Sequence, residues 1–198
     1  MAALVFFPRS GVEFTRQQSR GADVLTVTAQ QRARVAALLG REPRGLEAVA
    51  VAAADGDPVV IRVASLVDDK PFPTLFWLVD TALNYRIDQA EAGGMIRRLQ
   101  RLVDGDPALQ GHMRTDHAAH IALRASYIAP ASRRRLVELG FGEVLDHRGI
   151  GGIADDKRIR CLHTWYAAHL VVPNTIGVLL EAWWDEHDNT NREISDED

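Results

Sequence analysis

The feature that most constrains the fold is a pair of strand-forming runs joined by a short turn, "LEAVAVAAADGDPVVIRVAS", in residues 46–65. Runs rich in valine and isoleucine on both sides of Asp-Gly are typical of a β-hairpin. A third strand is predicted in residues 74–79, because Pro71 and Pro73 exclude a helix at its start. Two further strand candidates lie nearer the N-terminus, in residues 3–7 and 23–27.

Most of the remaining chain is predicted to be helical. Thr28 and Gln31 have the spacing of a capping box, and Gly40 follows the same helix as a C-terminal signal. Asp106 is a candidate N-cap before Pro107, which is favoured at the first helical position. The predicted helices cover residues 29–39, 81–92, 95–103, 107–127, 131–140, 157–171 and 175–187.

Strands early in the chain and helices late favour an α+β domain over a doubly wound parallel fold. The expected architecture is a small, mostly antiparallel sheet of three to four strands in the N-terminal half, covered by helices. The C-terminal half is expected to be mainly helical. A chain of 198 residues suits a single domain, which we place at residues 1–187. Residues 188–198 are polar and acidic and are expected to form a disordered tail.

The composition argues against several classes of partner. The net charge is −4, so no overall electrostatic field favours nucleic acid or an anionic membrane. No apolar run approaches the roughly 20 residues of a transmembrane helix, and the N-terminal apolar run is too short for a signal peptide. The single cysteine, Cys161, precludes an intramolecular disulfide and fits a reducing compartment. We therefore expect a cytoplasmic protein.

The stretch "RCLHTWYAAHL", residues 160–170, holds that cysteine and two histidines. In a regular helix Cys161 and His163 would lie about 200° apart, so these two and His169 could not all bind one metal ion. The usual zinc-ligand spacings are absent. We expect Cys161 and His163 to reach a site from the first turn, and His169 to be a structural histidine. The alternative is that Cys161 is buried like a small apolar residue and both histidines are structural.

A second histidine-rich stretch is "HMRTDHAAHIALR", residues 112–124. On a helix, His117, His120 and Arg124 share one face, with Asp116 beside them. Such a face suits a histidine that acts as a general acid or base and is oriented by a carboxylate, and His117 is the candidate. The pattern is also typical of a solvated face with incidental pairs.

The segment "RGIGGIADDKRIR", residues 148–160, is a candidate anion site. Its glycines, Gly151 and Gly152 among them, can turn backbone N–H groups toward an anion. Neither the phosphate-loop pattern nor the dinucleotide-binding pattern is present, and a flexible turn before a capped helix is the competing interpretation. The cationic residues expected to bind the anion are Arg41, Arg44, Arg124, Lys157, Arg158 and Arg160.

Several pieces of the chain, in order, resemble one known family. They are "LGREPRG", "PVVIRV", "PFPTLFWL", "EAGGM", "GGIADDKRIRCLH" and "PNTIG", and they look like the bacterial family called domain of unknown function 501. The resemblance covers about residues 30–178, and family members typically carry valine-lysine where this chain has Ile159-Arg160. It implies a bacterial, cytoplasmic protein and carries no established activity.

Two functions from different classes follow as hypotheses. The first is an enzyme or binding protein for an anionic, phosphorylated small ligand. In it, Cys161 would be a nucleophile activated by cationic neighbours at a helix N-terminus, and His163 or His117 would be the acid or base. The second is a non-catalytic adaptor that binds a protein partner through aromatic anchors, Trp183, Trp184 and the "FWL" strand. The sequence specifies no cofactor, metal or oligomeric state.

Overall fold

The computed structural model describes residues 3–5, 14–16 and 27–195, and it has the predicted α+β architecture. The strands within these ranges are β1 Ala3–Val5, β2 Phe14–Arg16, β3 Leu46–Ala53, β4 Pro58–Val63, β5 Leu66–Val67, β6 Lys70–Pro71 and β7 Phe76–Leu78. The main sheet has the order β1-β2-β3-β4-β7, and all of its neighbouring strands are antiparallel. β5 and β6 pair in a separate two-stranded ribbon.

The helices of the described ranges are α1 Ala29–Leu39, α2 Thr81–Ala92, α3 Met95–Gly105, α4 Pro107–Tyr127, α5 Pro130–Glu138, α6 Leu162–Val171 and α7 Thr175–Ser195. The predicted capping box begins α1, because the Thr28 hydroxyl accepts a hydrogen bond from the Gln31 N–H at 3.1 Å and the Gln31 side chain accepts one from the Thr28 N–H at 3.0 Å. Asp106 caps α4 by accepting from the Ala108 N–H at 2.8 Å. Both predicted helix starts are confirmed.

The predicted hairpin lies at the centre of the main sheet. Its turn is held by Asp55, whose carboxylate accepts a hydrogen bond from the Asp57 N–H at 3.0 Å, and by Gly56, whose φ of 90° favours glycine. The main sheet is wider than expected because β2, from a stretch without a strand signal, pairs with β3 through the main chain. Residues 23–26 of the predicted strand at 23–27 lie outside the described residues.

Two hydrophobic cores lie on opposite faces of the main sheet. Successive side chains of a strand point to opposite faces, so Phe76 of β7 belongs to the larger core and Trp77 to the smaller. The smaller core packs against α1 through Val35. α6 lies within the larger core, where Trp165 is 1% exposed. Burying a large apolar side chain contributes about 1.5–3 kcal/mol, so packing holds α6 in place and fixes the position of its N-terminal end.

The sequence prediction was wrong about the start of α6. The helix begins at Leu162, and residues 157–161 are not helical. The reason lies in α3, where the Gln100 side chain accepts a hydrogen bond from the Ile159 N–H at 3.0 Å and donates one to the Lys157 carbonyl at 2.9 Å. These bonds occupy backbone groups that a helical turn would use for itself. Cys161 is therefore the N-cap of α6 and not an interior residue.

The two longest helices of the described chain are α4 and α7, with 21 residues each. α7 continues to Ser195, past His187 where the sequence pattern placed its end. Charged residues occur in α4, at Arg114, Asp116 and Arg124, and in the part of α7 up to Asp188. Among the described residues, no helix combines the length and the apolar character that crossing a lipid bilayer requires.

Candidate functional site

The first cluster of polar side chains lies where the C-terminal turn of α2 meets the N-terminal end of α6. The Cys161 Sγ is 3.7 Å from the Nδ1 of His163. The same Nδ1 is 3.5 Å from the Oε1 of Glu91, and the other ring nitrogen, Nε2, is 3.3 Å from the Oδ1 of Asp88. One imidazole thus contacts a thiol and two carboxylates. We call Asp88, Glu91, Cys161 and His163 the thiol–histidine cluster.

Local structure explains why these four side chains meet. Asp88 and Glu91 are three residues apart on α2 and therefore share one helical face. Cys161 is the N-cap of α6, and His163 is the second residue of that helix. The Oε1 of Glu91 accepts a hydrogen bond from the Leu162 N–H, in the first turn of α6, at 2.6 Å. This long-range cap joins the two helices and fixes the Glu91 carboxylate beside the thiol.

The electrostatics of the cluster favour a charge-separated thiol–imidazole pair. Burial opposes ionisation of Cys161, but hydrogen bonds from His163 and from the Thr164 backbone together lower the pKa of the thiol below its ordinary value. The hydrogen bond to Cys161 raises the pKa of His163 against the opposing effect of burial, and the charges of Glu91 and Asp88 add to the rise. Both shifts favour a thiolate beside an imidazolium, which is the activated form of a cysteine.

The same side chains are the group that fits a metal ion. In the described part of the chain, Glu91, Cys161 and His163 are the one set of three potential ligands whose donor atoms all lie within 4.8 Å of one another. They provide a carboxylate oxygen, a thiol sulfur and an imidazole nitrogen, the three ligand types that zinc takes in proteins.

A cleft of about 780 Å³ adjoins this cluster, and Glu91 lines both. Its other walls are α3 and the segment from residue 148 to residue 160. Five arginines and three acidic residues line it, namely Arg97, Arg101, Arg148, Arg158 and Arg160 with Glu91, Asp104 and Asp155. We call this space the arginine cleft.

Four of the five cleft arginines lack a carboxylate partner within 4 Å among the described residues. Only Arg158 has one, at 3.9 Å from Asp155, and both side chains are largely exposed. Elsewhere in the fold several arginines are paired more closely, as in the contacts of Arg135 with Asp69 at 2.8 Å and of Arg86 with Asp188 at 2.6 Å. The cleft therefore holds an excess of cationic charge.

The glycines of residues 149–152, which we call the glycine loop, have a packing role in this structure. A side chain at Gly149 would meet the His117 ring at 2.0 Å, one at Gly151 would meet the Thr164 hydroxyl at 2.8 Å, and one at Gly152 would meet Pro73 at 2.8 Å. Gly151 and Gly152 also have φ angles of 72° and 71°, which favour glycine.

The backbone N–H groups of this loop are largely used within the protein. The Ile150 N–H donates to the Nδ1 of His117 at 2.9 Å, Gly149 donates to the Ile153 carbonyl at 2.8 Å, and Gly152 donates to the Gly149 carbonyl at 3.0 Å. The loop therefore brings its flanking arginines to the cleft, and these backbone donors do not point to an anion.

Three polar residues of α4, His117, His120 and Arg124, lie in the core and not in the cleft. His117 is 5% exposed and His120 is 7% exposed. Burial lowers the pKa of His117, and burial, with the charges of Arg124 and His117, lowers the pKa of His120 to about 3. Arg124 is 1% exposed and donates to the carbonyls of Pro73, Leu145 and Arg148, the first at 2.9 Å. Arg124 thus holds the backbone at Arg148, which lines the cleft, from the buried core.

The remaining cationic candidates lie apart from the cleft lining. Arg41 is over the Trp77 ring, 5.3 Å from its centroid, on the α1 side of the main sheet. Arg44 pairs with Asp68 at 3.3 Å, and both side chains are exposed. Lys157 is exposed and is not part of the cleft wall. Of the sequence candidates, the structure brings Cys161 and His163 together in the thiol–histidine cluster, and it places Arg158 and Arg160 in the lining of the arginine cleft.

The thiol–histidine cluster and the arginine cleft also contain residues that were not predicted from the sequence. Asp88 and Glu91 carry half of the thiol–histidine cluster, and Arg97, Arg101 and Arg148 carry most of the charge of the cleft. One local signal could have identified two of them, because Arg97 and Arg101 are four residues apart and so share one face of α3. Asp88 and Glu91 are likewise three residues apart, but nothing local indicates what that face meets.

The fold and the cleft describe an α+β protein with a cationic pocket beside a cysteine–histidine pair. A family model described as "Protein of unknown function (DUF501)" matches residues 49–182, and the chain belongs to this family. The match includes the thiol–histidine cluster and all five cleft arginines, and it leaves out Arg41 and Arg44. No curated protein and no solved structure matches this chain.

Proposed function

We propose that this protein binds an anionic small molecule that carries phosphate, and that the ligand occupies the arginine cleft. The observation that carries the proposal is the set of five guanidinium groups around one cavity, four of them without a carboxylate within 4 Å in the described chain. Guanidinium groups match phosphate oxygens in pairs of parallel hydrogen bonds, so arginine is favoured where phosphate is recognised. The five arginines outnumber the three acidic residues of the lining, and a bound anion would compensate the remaining positive charge.

The size and the walls of the cleft fit a small ligand. Its volume of about 780 Å³ falls within the range of roughly 300–1,000 Å³ that is common for small-molecule sites. The wall from residue 157 to residue 160 is held by Gln100, and the wall at Arg148 is held by Arg124. Arginines on fixed backbone segments lose less conformational freedom on binding than arginines on free loops.

If the protein is an enzyme, its reacting groups are those of the thiol–histidine cluster. Glu91 belongs to the cluster and to the cleft lining, so the cleft and the cluster share this side chain, whereas Cys161 and His163 themselves do not line the cleft. His117 is less suited to acid–base chemistry on this ligand, because its Nδ1 accepts a buried backbone hydrogen bond and burial lowers its pKa.

The adaptor alternative has less support. Trp184 is 5% exposed and packs edge-on against Tyr166, with ring centroids 5.2 Å apart. Trp183 packs against the larger core, and Trp77 packs against the smaller one. Aromatic side chains used in this way are not available as anchors for a partner.

The test is a thermal-shift and calorimetry series with inorganic phosphate, pyrophosphate, polyphosphate and nucleotides. A ligand at about 100 times its Kd stabilises the folded state by about 2.7 kcal/mol, so a binder raises the Tm. The variant Arg97→Gln/Arg101→Gln is expected to bind that ligand at least about tenfold more weakly, because charge-assisted hydrogen bonds are lost. Binding is also expected to weaken as salt is added.

Arg98→Gln is the matched control, because Arg98 is an exposed neighbour on α3 that does not line the cleft. It is expected to bind the ligand as the parent protein does. The proposal is wrong if none of these anions raises the Tm, or if Arg98→Gln weakens binding as much as the double variant does.

A further inference from the structure

We propose that Glu91, Cys161 and His163 bind one zinc-like divalent ion, and that Asp88 orients the imidazole of His163 through its other ring nitrogen. A carboxylate oxygen of Glu91, the Sγ of Cys161 and a ring nitrogen of His163 lie within 4.8 Å of one another. This metal site does not depend on the arginine cleft. Glu91 is the one residue that belongs to both the proposed ligand set and the cleft lining.

The distances between the donor atoms fit tetrahedral coordination. Zinc binds sulfur at about 2.3 Å and nitrogen or oxygen at about 2.0–2.2 Å, so tetrahedral angles place sulfur and nitrogen about 3.6 Å apart and nitrogen and oxygen about 3.4 Å apart. The structure has 3.7 Å between the Sγ of Cys161 and the Nδ1 of His163. It has 3.5 Å between that Nδ1 and the Oε1 of Glu91. Two of the three donor–donor distances therefore agree with tetrahedral coordination of one ion.

The groups that contact the donor residues are of the kind that orients ligands in metal sites. A histidine that binds zinc through one ring nitrogen usually donates the other N–H to a carboxylate or a carbonyl. Asp88 provides that carboxylate, 3.3 Å from the Nε2 of His163. The Leu162 N–H donates to the Oε1 of Glu91 at 2.6 Å, which fixes the carboxylate and leaves it a further lone pair.

Charge also favours a cation at this point. The Nδ1 of His163 lies 3.7 Å from the Sγ of Cys161 and 3.5 Å from the Oε1 of Glu91, so a thiolate at Cys161 and the Glu91 carboxylate would share one imidazole. One proton on the Nδ1 of His163 can be directed at only one of these two acceptors at a time. A divalent ion would compensate both anions at once, and it would keep His163 neutral, the form that binds metals.

Three protein ligands leave one tetrahedral position open, as in catalytic zinc sites and unlike the closed structural ones. The ion would lie beside the cleft because Glu91 lines it. If the proposed function is correct, this open position would accept an oxygen of the anion bound in the cleft. Binding of the metal ion by Glu91, Cys161 and His163 does not depend on whether an anion binds in the cleft.

The test uses the untagged full-length protein after removal of metals with a chelator. Titration with Zn²⁺ is expected to show one equivalent bound per chain, and Co²⁺ is expected to give the near-ultraviolet absorption of a cobalt–thiolate bond. Cys161→Ser should abolish that absorption. Glu91→Gln keeps an acceptor for the Leu162 N–H but removes the charge, and it should weaken metal binding while the fold is retained. Zn²⁺ should also protect Cys161 from alkylation.

Asp88→Asn tests the carboxylate that orients His163, because loss of such a contact typically weakens metal binding about 10–100-fold. Glu143→Gln, at an exposed glutamate outside the cluster, is the control and should bind as the parent does. The proposal is overturned if the parent binds no Zn²⁺, or if Cys161→Ser binds it equally well. Rapid alkylation of Cys161 that Zn²⁺ does not slow would instead identify a free nucleophilic thiolate. Loss of anion binding with metal binding intact would leave this inference standing and reject only the proposed function.

Discussion

Two regions of this protein use the same kinds of side chain in opposite ways. In the middle of α4, His117 and His120 are buried, and the pKa of each lies below its ordinary value because burial disfavours the charged ring. At the junction of α2 and α6, the side chain of His163 is 25% exposed, and its pKa is raised by the hydrogen bond to Cys161 and by nearby carboxylates. The middle of α4 favours neutral histidine rings, whereas the junction of α2 and α6 favours positive charge on the ring of His163.

The difference shows that the neighbours of a histidine, and not the local pattern, decide its role. His117 accepts a backbone N–H through Nδ1 and packs edge-on against Trp165, with ring centroids 5.0 Å apart. Such contacts hold a loop and a helix together. His163 instead faces one thiol and two carboxylates, which can exchange protons or share a metal ion.

The largest effect that would sharpen this comparison is expected at Arg124. Its guanidinium holds three carbonyls, those of Pro73, Leu145 and Arg148, and burial lowers its pKa to about 10. Arg124→Met leaves these carbonyls without that donor and is expected to lower the free energy of unfolding by about 3 kcal/mol or more. Urea unfolding measures the loss. Zinc binding per folded molecule should be unchanged.

Arg134→Met is the matched control, since Arg134 is exposed on α5. A surface change of this kind is expected to stay within about 0.5 kcal/mol. If both variants were equally stable, Arg124 would not be the structural residue that its three acceptors indicate, and α4 would have to be reconsidered as part of a site.

Local signals in the sequence were enough for most of the fold. The capping box at Thr28 and Gln31, the Asp106-Pro107 start of α4 and the hairpin turn at Gly56 each depend on residues only a few positions apart. Such interactions are encoded where they act. The start of α6 was misplaced because it depends on Gln100, which lies 59 residues before Ile159 and takes over its backbone N–H.

Only part of the candidate site could be predicted, for the same reason. Cys161 and His163 attract attention as a single cysteine with a near histidine, and irregular backbone before Leu162 lets both reach one point. Glu91 joins them from 71 residues away through its bond to the Leu162 N–H. No rule about residue spacing predicts that contact, because it forms only when α2 packs beside α6.

A second, smaller effect would separate the two histidines of α6. His169 is 1% exposed, and it accepts the Asn174 N–H at 3.0 Å and lies 3.4 Å from the Glu181 carboxylate, in agreement with the structural role expected from the sequence. His169→Ala is expected to lower the free energy of unfolding by about 2 kcal/mol, from lost packing and hydrogen bonds. His163→Ala should change it by less than about 1 kcal/mol and should lose zinc. Thermal unfolding and metal content measure the two properties, and equal behaviour of both variants would contradict this division.

The smallest expected effect is a pH dependence of stability that originates in α4. The folded-state pKa of His120 is about 3, whereas an unfolded histidine has a pKa of about 6.5. Between these values the unfolded chain binds a proton that the folded chain excludes, so stability falls as pH is lowered from about 6.5 toward 3.

One such histidine contributes at most about 1.4 kcal/mol per pH unit, and His117, with its lowered pKa, acts in the same direction. His120→Leu fits the apolar surroundings of that side chain, which include Phe76 and Leu123. We expect its urea-unfolding free energy to depend less steeply on pH between 4.5 and 6.5 than that of the parent, by about 1 kcal/mol per pH unit. The exposed His147→Leu serves as the control and should keep the parent slope. An unchanged slope in His120→Leu would mean that this ring can take up a proton in the folded core, and the contrast with His163 would then be lost.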